Sequence, residues 1–328
     1  MPSIPEPGVD LASTPTPIDR LDTLSDRHDA NLYVKRDDET AGIAQGNKVR
    51  KLEYLLGDAL EQGAEAVVTT GGVQSNHCRA TAVSARRLGL DPHLVLRGEE
   101  PTVPDGNLLL DRLVGADIEF VGEESGRNDL VEQRVSELAD EGVSAYPIPS
   151  GGSNALGALA YVRAYEEIRE QAADAGVEFD RIYVASGSGG TQAGLVAGAL
   201  AAGDDVEIVG VDVTSAPTAE LRARVEGVLD DLADAYDWLD FDLEEAHDRV
   251  ELLTGFLGPG YAEPAPEHLE TIVEAGRTEG LILDTCYTGK AFTGFLADTE
   301  PGETCLFVHT GGSYGAFPLR EQLADALE

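Results

Sequence analysis

Ala66-Val67-Val68-Thr69-Thr70-Gly71-Gly72-Val73-Gln74-Ser75-Asn76 is the stretch that decides how this chain folds. Residues 66–70 are small or β-branched and read as a buried strand. Residues 71–76 read as a loop, and a helix follows to about Leu88 with Gly89 as its stop. A strand that passes through glycines into a helix is the repeating unit of a parallel sheet. The unit recurs downstream, with strands expected at 93–96, 117–121 and 145–148 and helices at 107–114 and 129–140. It recurs again in the second half: strands at 181–185, 207–213 and 306–309, and helices at 191–201, 266–278 and 319–327. Strands alternating with helices across short glycine turns give an α/β fold with parallel sheets covered on both faces. Residues 1–30, rich in Pro, Asp and Thr, read as an extended arm, and 31–36 as a short strand. Ser150-Gly151-Gly152-Ser153-Asn154 interrupts the alternation before a long helix at 155–173 and reads either as a hinge between domains or as a tight turn. The acidic stretch 217–250 is mostly helical, anchored by Trp238 and Phe241, with no chemistry evident in it.

Just upstream lies Gln45-Gly46-Asn47-Lys48-Val49-Arg50-Lys51-Leu52-Glu53. Val49, Leu52, Leu55, Leu56, Ala59 and Leu60 have the spacing of one buried helix face over 49–62. Lys48 therefore emerges at a helix N-terminus, where the backbone dipole disfavours a cation and should lower its pKa. A neutral amine is what imine chemistry needs. The plain alternative is a solvated surface lysine. Composition bears on that choice: the chain has four lysines (Lys35, Lys48, Lys51 and Lys290) against 61 acidic residues. Arginine supplies surface charge as well as lysine does, but it cannot form an imine.

At 328 residues the chain accommodates two domains or one large α/β domain, and 42% hydrophobic residues fill a core. The net charge of −38 argues against nucleic acid and anionic membrane as partners. The acids are spread along the chain, which points to solubility in very high salt, where self-repulsion is screened; a specific acidic interaction surface is the other reading. No apolar run approaches the roughly 20 residues of a membrane span, and residues 1–10 lack the pattern of a signal peptide. Cys78, Cys286 and Cys305 are an odd set without CxxC spacing, which fits reduced thiols. The expected setting is a halophilic cytoplasm.

Parallel sheets bind ligands at loops beyond strand ends. The most specific such loop is Ser186-Gly187-Ser188-Gly189-Gly190-Thr191, where glycines let backbone N–H groups close on an anion at a helix N-terminus. It reads as a phosphate cradle or, failing that, a structural turn. It is neither a P-loop nor a G-x-G-x-x-G dinucleotide loop, although Asp212 lies at about the right distance for the latter. A phosphate cradle and a lysine of lowered pKa together suggest pyridoxal 5′-phosphate. Ser75 and Asn76 open another helix and are candidates for the ring or a substrate carboxylate. His77 reads as packed or ring-facing before it reads as a base. Tyr287, Tyr261 and the loop His309-Thr310-Gly311-Gly312 complete the candidates.

The motifs LYVKRDD, GNKVRKLE, GGVQSNH, SGSGGTQAG, DTCYTGK and HTGG, in this order over about residues 32–315, resemble the fold-type II pyridoxal-phosphate enzymes, the tryptophan synthase β-like group. Within it the chain is most similar to the 1-aminocyclopropane-1-carboxylate deaminase and D-cysteine desulfhydrase branch. The resemblance is weakest over 217–250. It implies two open parallel-sheet domains, the smaller (48–154) inserted in a discontinuous large one (1–47 and 155–328), with the cofactor between them and a homodimer as the assembly. It implies that Lys48 binds the cofactor aldehyde, Asn76 its ring oxygen and residues 186–191 its phosphate. Ser75 would hold the substrate carboxylate, and Tyr287 and Tyr261 would flank the substrate. Thr288 and Thr310 stand where the deaminases carry Glu and Leu, and both resemble the desulfhydrases. A carboxylate near the pyridine nitrogen favours a strong electron sink; a hydroxyl leaves a weaker one, enough when thiolate is the leaving group. The expected activity is β-elimination from D-cysteine to pyruvate, hydrogen sulfide and ammonia. The alternatives are the cyclopropane deaminase and an L-cysteate sulfo-lyase. A non-enzymatic cofactor carrier and a nucleotide-binding oxidoreductase are less well supported by these motifs. No metal site is expected.

Overall fold

The computed structural model describes residues 4–122 and 129–328; residues 1–3 of the expected N-terminal arm lie outside them. In chain order the elements are β1 (Ile18–Arg20), α1 (Asp22–His28), β2 (Asn31–Lys35), α2 (Asn47–Glu61), β3 (Ala66–Gly72), α3 (Asn76–Arg87), β4 (Asp91–Arg97), α4 (Gly106–Leu113), β5 (Asp117–Val121), α5 (Asp129–Asp140) and β6 (Ala145–Pro147). There follow α6 (Ala155–Ala175), β7 (Arg181–Ser186), α7 (Gly190–Ala202), β8 (Glu207–Asp212), α8 (Thr218–Ala235), α9 (Leu243–Asp248), β9 (Glu251–Leu253), α10 (Pro266–Glu279), α11 (Thr288–Asp298), β10 (Thr304–Val308) and α12 (Arg320–Ala326).

Two sheets organise two α/β domains. One has the strand order β1-β2-β10-β7-β8-β9, parallel except for β1, which is antiparallel to β2. The other, β5-β4-β3-β6, is wholly parallel. The N-terminal reading needs correction. Residues 18–20 and 22–28 form a strand and a short helix, because the arm's Leu21 and Leu24 are buried and pull it onto the sheet edge. The break at 150–154 is a single 3-10 turn at Ser150–Gly152 with Gly151 and Gly152 at positive φ.

Beside the larger sheet, α6 and α7 approach closely. A Cβ at Gly194 would lie 2.4 Å from the Ala158 carbonyl, and one at Gly198 would lie 2.7 Å from Tyr165 Cβ. Glycine therefore sets the helix separation, and Tyr161 and Tyr165 fill the seam. The other face of the sheet is covered by α10 and α11, with Phe292, Phe295 and Phe307 in mutual ring contact.

A buried polar network fixes α2, the helix that bears Lys48. Arg50 reaches Asp37 at 2.8 Å and Glu167 at 2.9 Å, Lys35 reaches Glu167 at 2.5 Å, and Tyr161 donates to Asp37 at 2.5 Å. Buried charges persist only when paired and hydrogen-bonded, and here each is. The network ties α2 to β2 and α6, so the start of α2 is not free to drift. Among the described residues, no helix is long and apolar enough to cross a membrane.

Candidate active site

Gly46 leads into α2 at φ 105°, and a Cβ there would lie 2.5 Å from the Thr310 carbonyl. Only glycine lets the start of α2 sit on the loop after β10. Asn47 then donates its N–H to the Thr310 carbonyl and its side-chain amide to Thr191 Oγ1 at 3.0 Å, which joins α2 to the start of α7. Lys48 follows, facing a cavity of about 600 Å³. Its pKa is lowered to about 8, in the direction its position suggests, but the cause is loss of hydration on burial.

Lys51 lies one turn further on and is fully buried. Its Nζ is 3.3 Å from the Gly151 carbonyl and from Ser153 Oγ, with no carboxylate in ion-pair distance among the described residues. Burial and the nearby Lys48 charge hold its pKa well down. A Cβ at Gly190 would be 3.0 Å from this amine, so Lys51 lies against the glycine loop. Sequence reasoning counted Lys51 but gave it no role; the three-residue spacing from Lys48, which puts both on one helix side, was the available signal.

The loop 186–191 links β7 to α7. Ser186, Gly187, Ser188, Gly189 and Thr191 line the cavity. Gly190 does not; its N–H is turned to Ser153 Oγ at 3.3 Å, and Ser153 also bonds Ser188 at 2.8 Å. The loop is braced from behind by Arg224, which donates to the Gly187 carbonyl at 3.1 Å. Arg224 belongs to α8, so the acidic stretch that showed no chemistry in sequence supports the site. Asp212, weighed above as a ribose ligand, is occupied by Thr214 and Thr218.

The smaller sheet supplies the facing wall. Ser75 caps α3, accepting the Cys78 N–H at 3.2 Å, and lines the cavity. Asn76 donates to Asp284 Oδ2 at 3.0 Å and accepts from Asn107 at 2.9 Å. His77 bonds Thr69 at 2.8 Å, and burial keeps it neutral; it is a packed histidine at the cavity edge.

The third wall centres on Asp284, which is fully buried and missed by sequence reasoning. Its carboxylate accepts the N–H groups of Cys286 (3.2 Å), Tyr287 (2.6 Å) and Thr288 (2.7 Å). Thr288 is a correction: its hydroxyl is fully buried on Asp284, and it does not line the cavity. Tyr287 and Tyr261 do, with hydroxyls hydrogen-bonded and rings edge to face at 5.8 Å. Burial raises the Tyr287 phenol pKa well above the ordinary, so it carries its proton. Thr310 closes the ring. One cavity thus gathers the residues expected at the site except Gly190, Thr288 and, in the loop after β10, His309, Gly311 and Gly312. Among the described residues, no cluster of acids, His and Cys suits a metal ion.

Residues 9–311 match the family described as pyridoxal-phosphate dependent enzymes. The chain belongs to this family. Within it, a Thermotoga maritima protein provisionally named 1-aminocyclopropane-1-carboxylate deaminase is 42% identical, over 96% of this chain and 99% of that one. A Yersinia pestis (strain Pestoides F) D-cysteine desulfhydrase is 38% identical over 97% of each. A crystal structure of an "ACC deaminase homologue" superposes with a TM-score of 0.88 at 38% identity, covering 98% of this chain and 96% of that one. The chain is thus a pyridoxal-phosphate dependent enzyme of the deaminase and desulfhydrase group.

The atoms of the cavity suit that cofactor. Lys48 offers an amine of lowered pKa, and Lys51 a second buried amine with no carboxylate beside it among the described residues. The 186–191 loop offers backbone donors at the start of α7, where an anion is favoured. Asn76, held by Asp284 and Asn107, retains one amide hydrogen for a ring oxygen.

Proposed function

We propose that this enzyme is a β-eliminating lyase acting on D-cysteine, with pyruvate, hydrogen sulfide and ammonia as products. The observation that carries the reading is the absence of a carboxylate at position 288: Thr288 stands there, and its hydroxyl is spent on Asp284. A weak electron sink limits the enzyme to substrates with a good leaving group on the β-carbon.

When bound, pyridoxal phosphate supplies a Schiff-base carbon for the substrate amine and a conjugated ring that takes up electron density from the α-carbon. Lys48 Nζ takes the α-proton, for which a pKa near neutrality is suited. Ser75 donates its hydroxyl hydrogen to the substrate carboxylate, and the N-terminus of α3 favours that negative charge. Tyr287 keeps its proton and holds it for the departing sulfur, with Tyr261 orienting the phenol through their shared hydrogen bond. Segment 48–154 serves as the small domain and carries Ser75 and Asn76 against the larger one, and the working assembly is a homodimer.

Purified enzyme offered D-cysteine, L-cysteine, L-cysteate and 1-aminocyclopropane-1-carboxylate separately will release pyruvate and sulfide fastest from D-cysteine. If 2-oxobutyrate from the cyclopropane substrate is the best reaction, position 288 does not decide the substrate.

A further inference from the structure

Arg97 ends β4 and borders the cavity. In the sheet it lies beside Gly72 on β3 and Val121 on β5. A Cβ at Gly72 would be 3.2 Å from the Tyr261 ring, so Arg97 stands next to the tyrosine pair, on a strand of the smaller sheet, whereas Lys48 and Lys51 lie on α2. Its charge is felt at the Tyr261 phenol. Its Nε is buried without a hydrogen-bond partner among the described residues. No carboxylate among the described residues comes within ion-pair distance, although the chain has 61 acids for 23 basic residues. In so acidic a chain most arginines find a carboxylate, Arg36, Arg50, Arg86, Arg112, Arg134 and Arg181 among them. Glu99 and Glu263 also border the cavity, but both are water-exposed and neither reaches Arg97.

We propose that Arg97 is an anion subsite for a negatively charged group on the β-carbon of the substrate: a sulfonate, a carboxylate or a departing thiolate. The proposal rests on the β-eliminating reading of the same cavity. In that reaction the Cα–H bond breaks and its proton passes to a base. The electron pair becomes the second Cα–Cβ bond, and the Cβ–S bond breaks with its pair leaving on sulfur as hydrosulfide. Negative charge therefore develops at the β-substituent. A guanidinium with open donors meets it with charge-assisted hydrogen bonds.

The test is a titration of the holoenzyme at low ionic strength, read from the absorbance of the bound cofactor. Its probes are both enantiomers of cysteate, aspartate and the uncharged 2-aminobutyrate. Wild type will bind a charged probe about 10- to 100-fold more tightly than 2-aminobutyrate. Arg97→Gln will erase that difference while keeping its affinity for 2-aminobutyrate, and Arg97→Lys will restore part of it. Circular dichroism checks that both variants fold. Equal affinity for charged and uncharged probes in wild type, or a preference unchanged in Arg97→Gln, overturns the subsite. Sulfide release from D-cysteine is measured in parallel. Normal release with no Arg97-dependent preference removes the subsite and leaves the lyase reading standing. An Arg97-dependent preference in a protein that eliminates nothing does the reverse.

Discussion

Lys48 loses hydration without gaining a partner among the described residues, and its lowered pKa follows from the lost hydration. Two consequences can be measured. Lys48→Ala will remove the visible imine absorbance of the holoenzyme and lower turnover by about a thousandfold or more; a variant that kept the absorbance would show that another amine binds the aldehyde. The second concerns stability without cofactor. The folded pKa of about 8 lies below the ordinary lysine value of 10.5. Between those two pH values the unfolded chain holds a proton that the folded one has released, so stability rises with pH there. Below pH 8 the folded protein carries the full cost of a poorly hydrated cation. Cofactor-free Lys48→Met will therefore be more stable than wild type at pH 7, by about 1–2 kcal/mol once partial exposure is allowed for. The gap will close as pH climbs from 8 to 10.5, as urea titrations at several pH values can read.

At the scale of elements, α3 and α4 hold a group whose burial is unrelieved. Asp111 on α4 is fully buried, and neither carboxylate oxygen has a hydrogen-bond partner among the described residues. Burial pushes its pKa to about 8, with Arg79 on α3 only partly offsetting it. Because the folded value is raised, folding takes up a proton between about pH 4 and 8, and stability falls as pH rises through that window. Asp111→Asn will remove this slope: its urea midpoint will exceed that of wild type at pH 8 and approach it near pH 4, with a difference on the order of 2–4 kcal/mol. A slope unchanged in the variant would place the titrating group elsewhere.

The alternation of strands and helices was legible because buried parallel strands are continuous apolar runs and the helices carry a clear apolar face. What escaped were β1, β9 and α1, of three, three and seven residues, too short for a period to register, and α11, whose eleven residues are buried nearly all round and so show no face. The site divides the same way. Glycine loops and helix starts announced Lys48, Ser75 and 186–191 locally. Asp284 acts on Asn76 across 208 positions, and Arg224 on Gly187 across 37; such pairings are made by packing and leave no local pattern. Thr288 shows the converse: its motif position was legible, but not that Asp284 would turn its hydroxyl away from the cavity.

For the whole molecule, the net charge of −38 sets the terms. Many of the ion pairs are exposed Arg–carboxylate pairs, such as Arg20–Asp22 and Arg112–Glu100. Pairs of this kind stabilise little and cannot offset repulsion among so many acids. Salt screens that repulsion over a few ångströms at molar concentration. The melting temperature will rise by roughly 5–10 °C between 0.1 M and 2 M KCl. A flat or falling curve would mean that the acids are compensated in some other way. Light scattering at both concentrations will show whether the homodimer forms and whether it needs the screening.

The four lysines give the molecule an unusual chemical exterior. Lys35, Lys51 and Lys290 are fully buried, and Lys48 opens only into the active-site cavity. The folded surface therefore presents no lysine amine to reagents in bulk solvent. Acylating dyes, bifunctional amine cross-linkers and enzymes that modify lysine tails will find no lysine to react with on it. Small amine reagents that enter the cavity will act as site-directed inhibitors, and coupling to a solid support through surface amines will fail unless a lysine is first engineered onto an exposed helix.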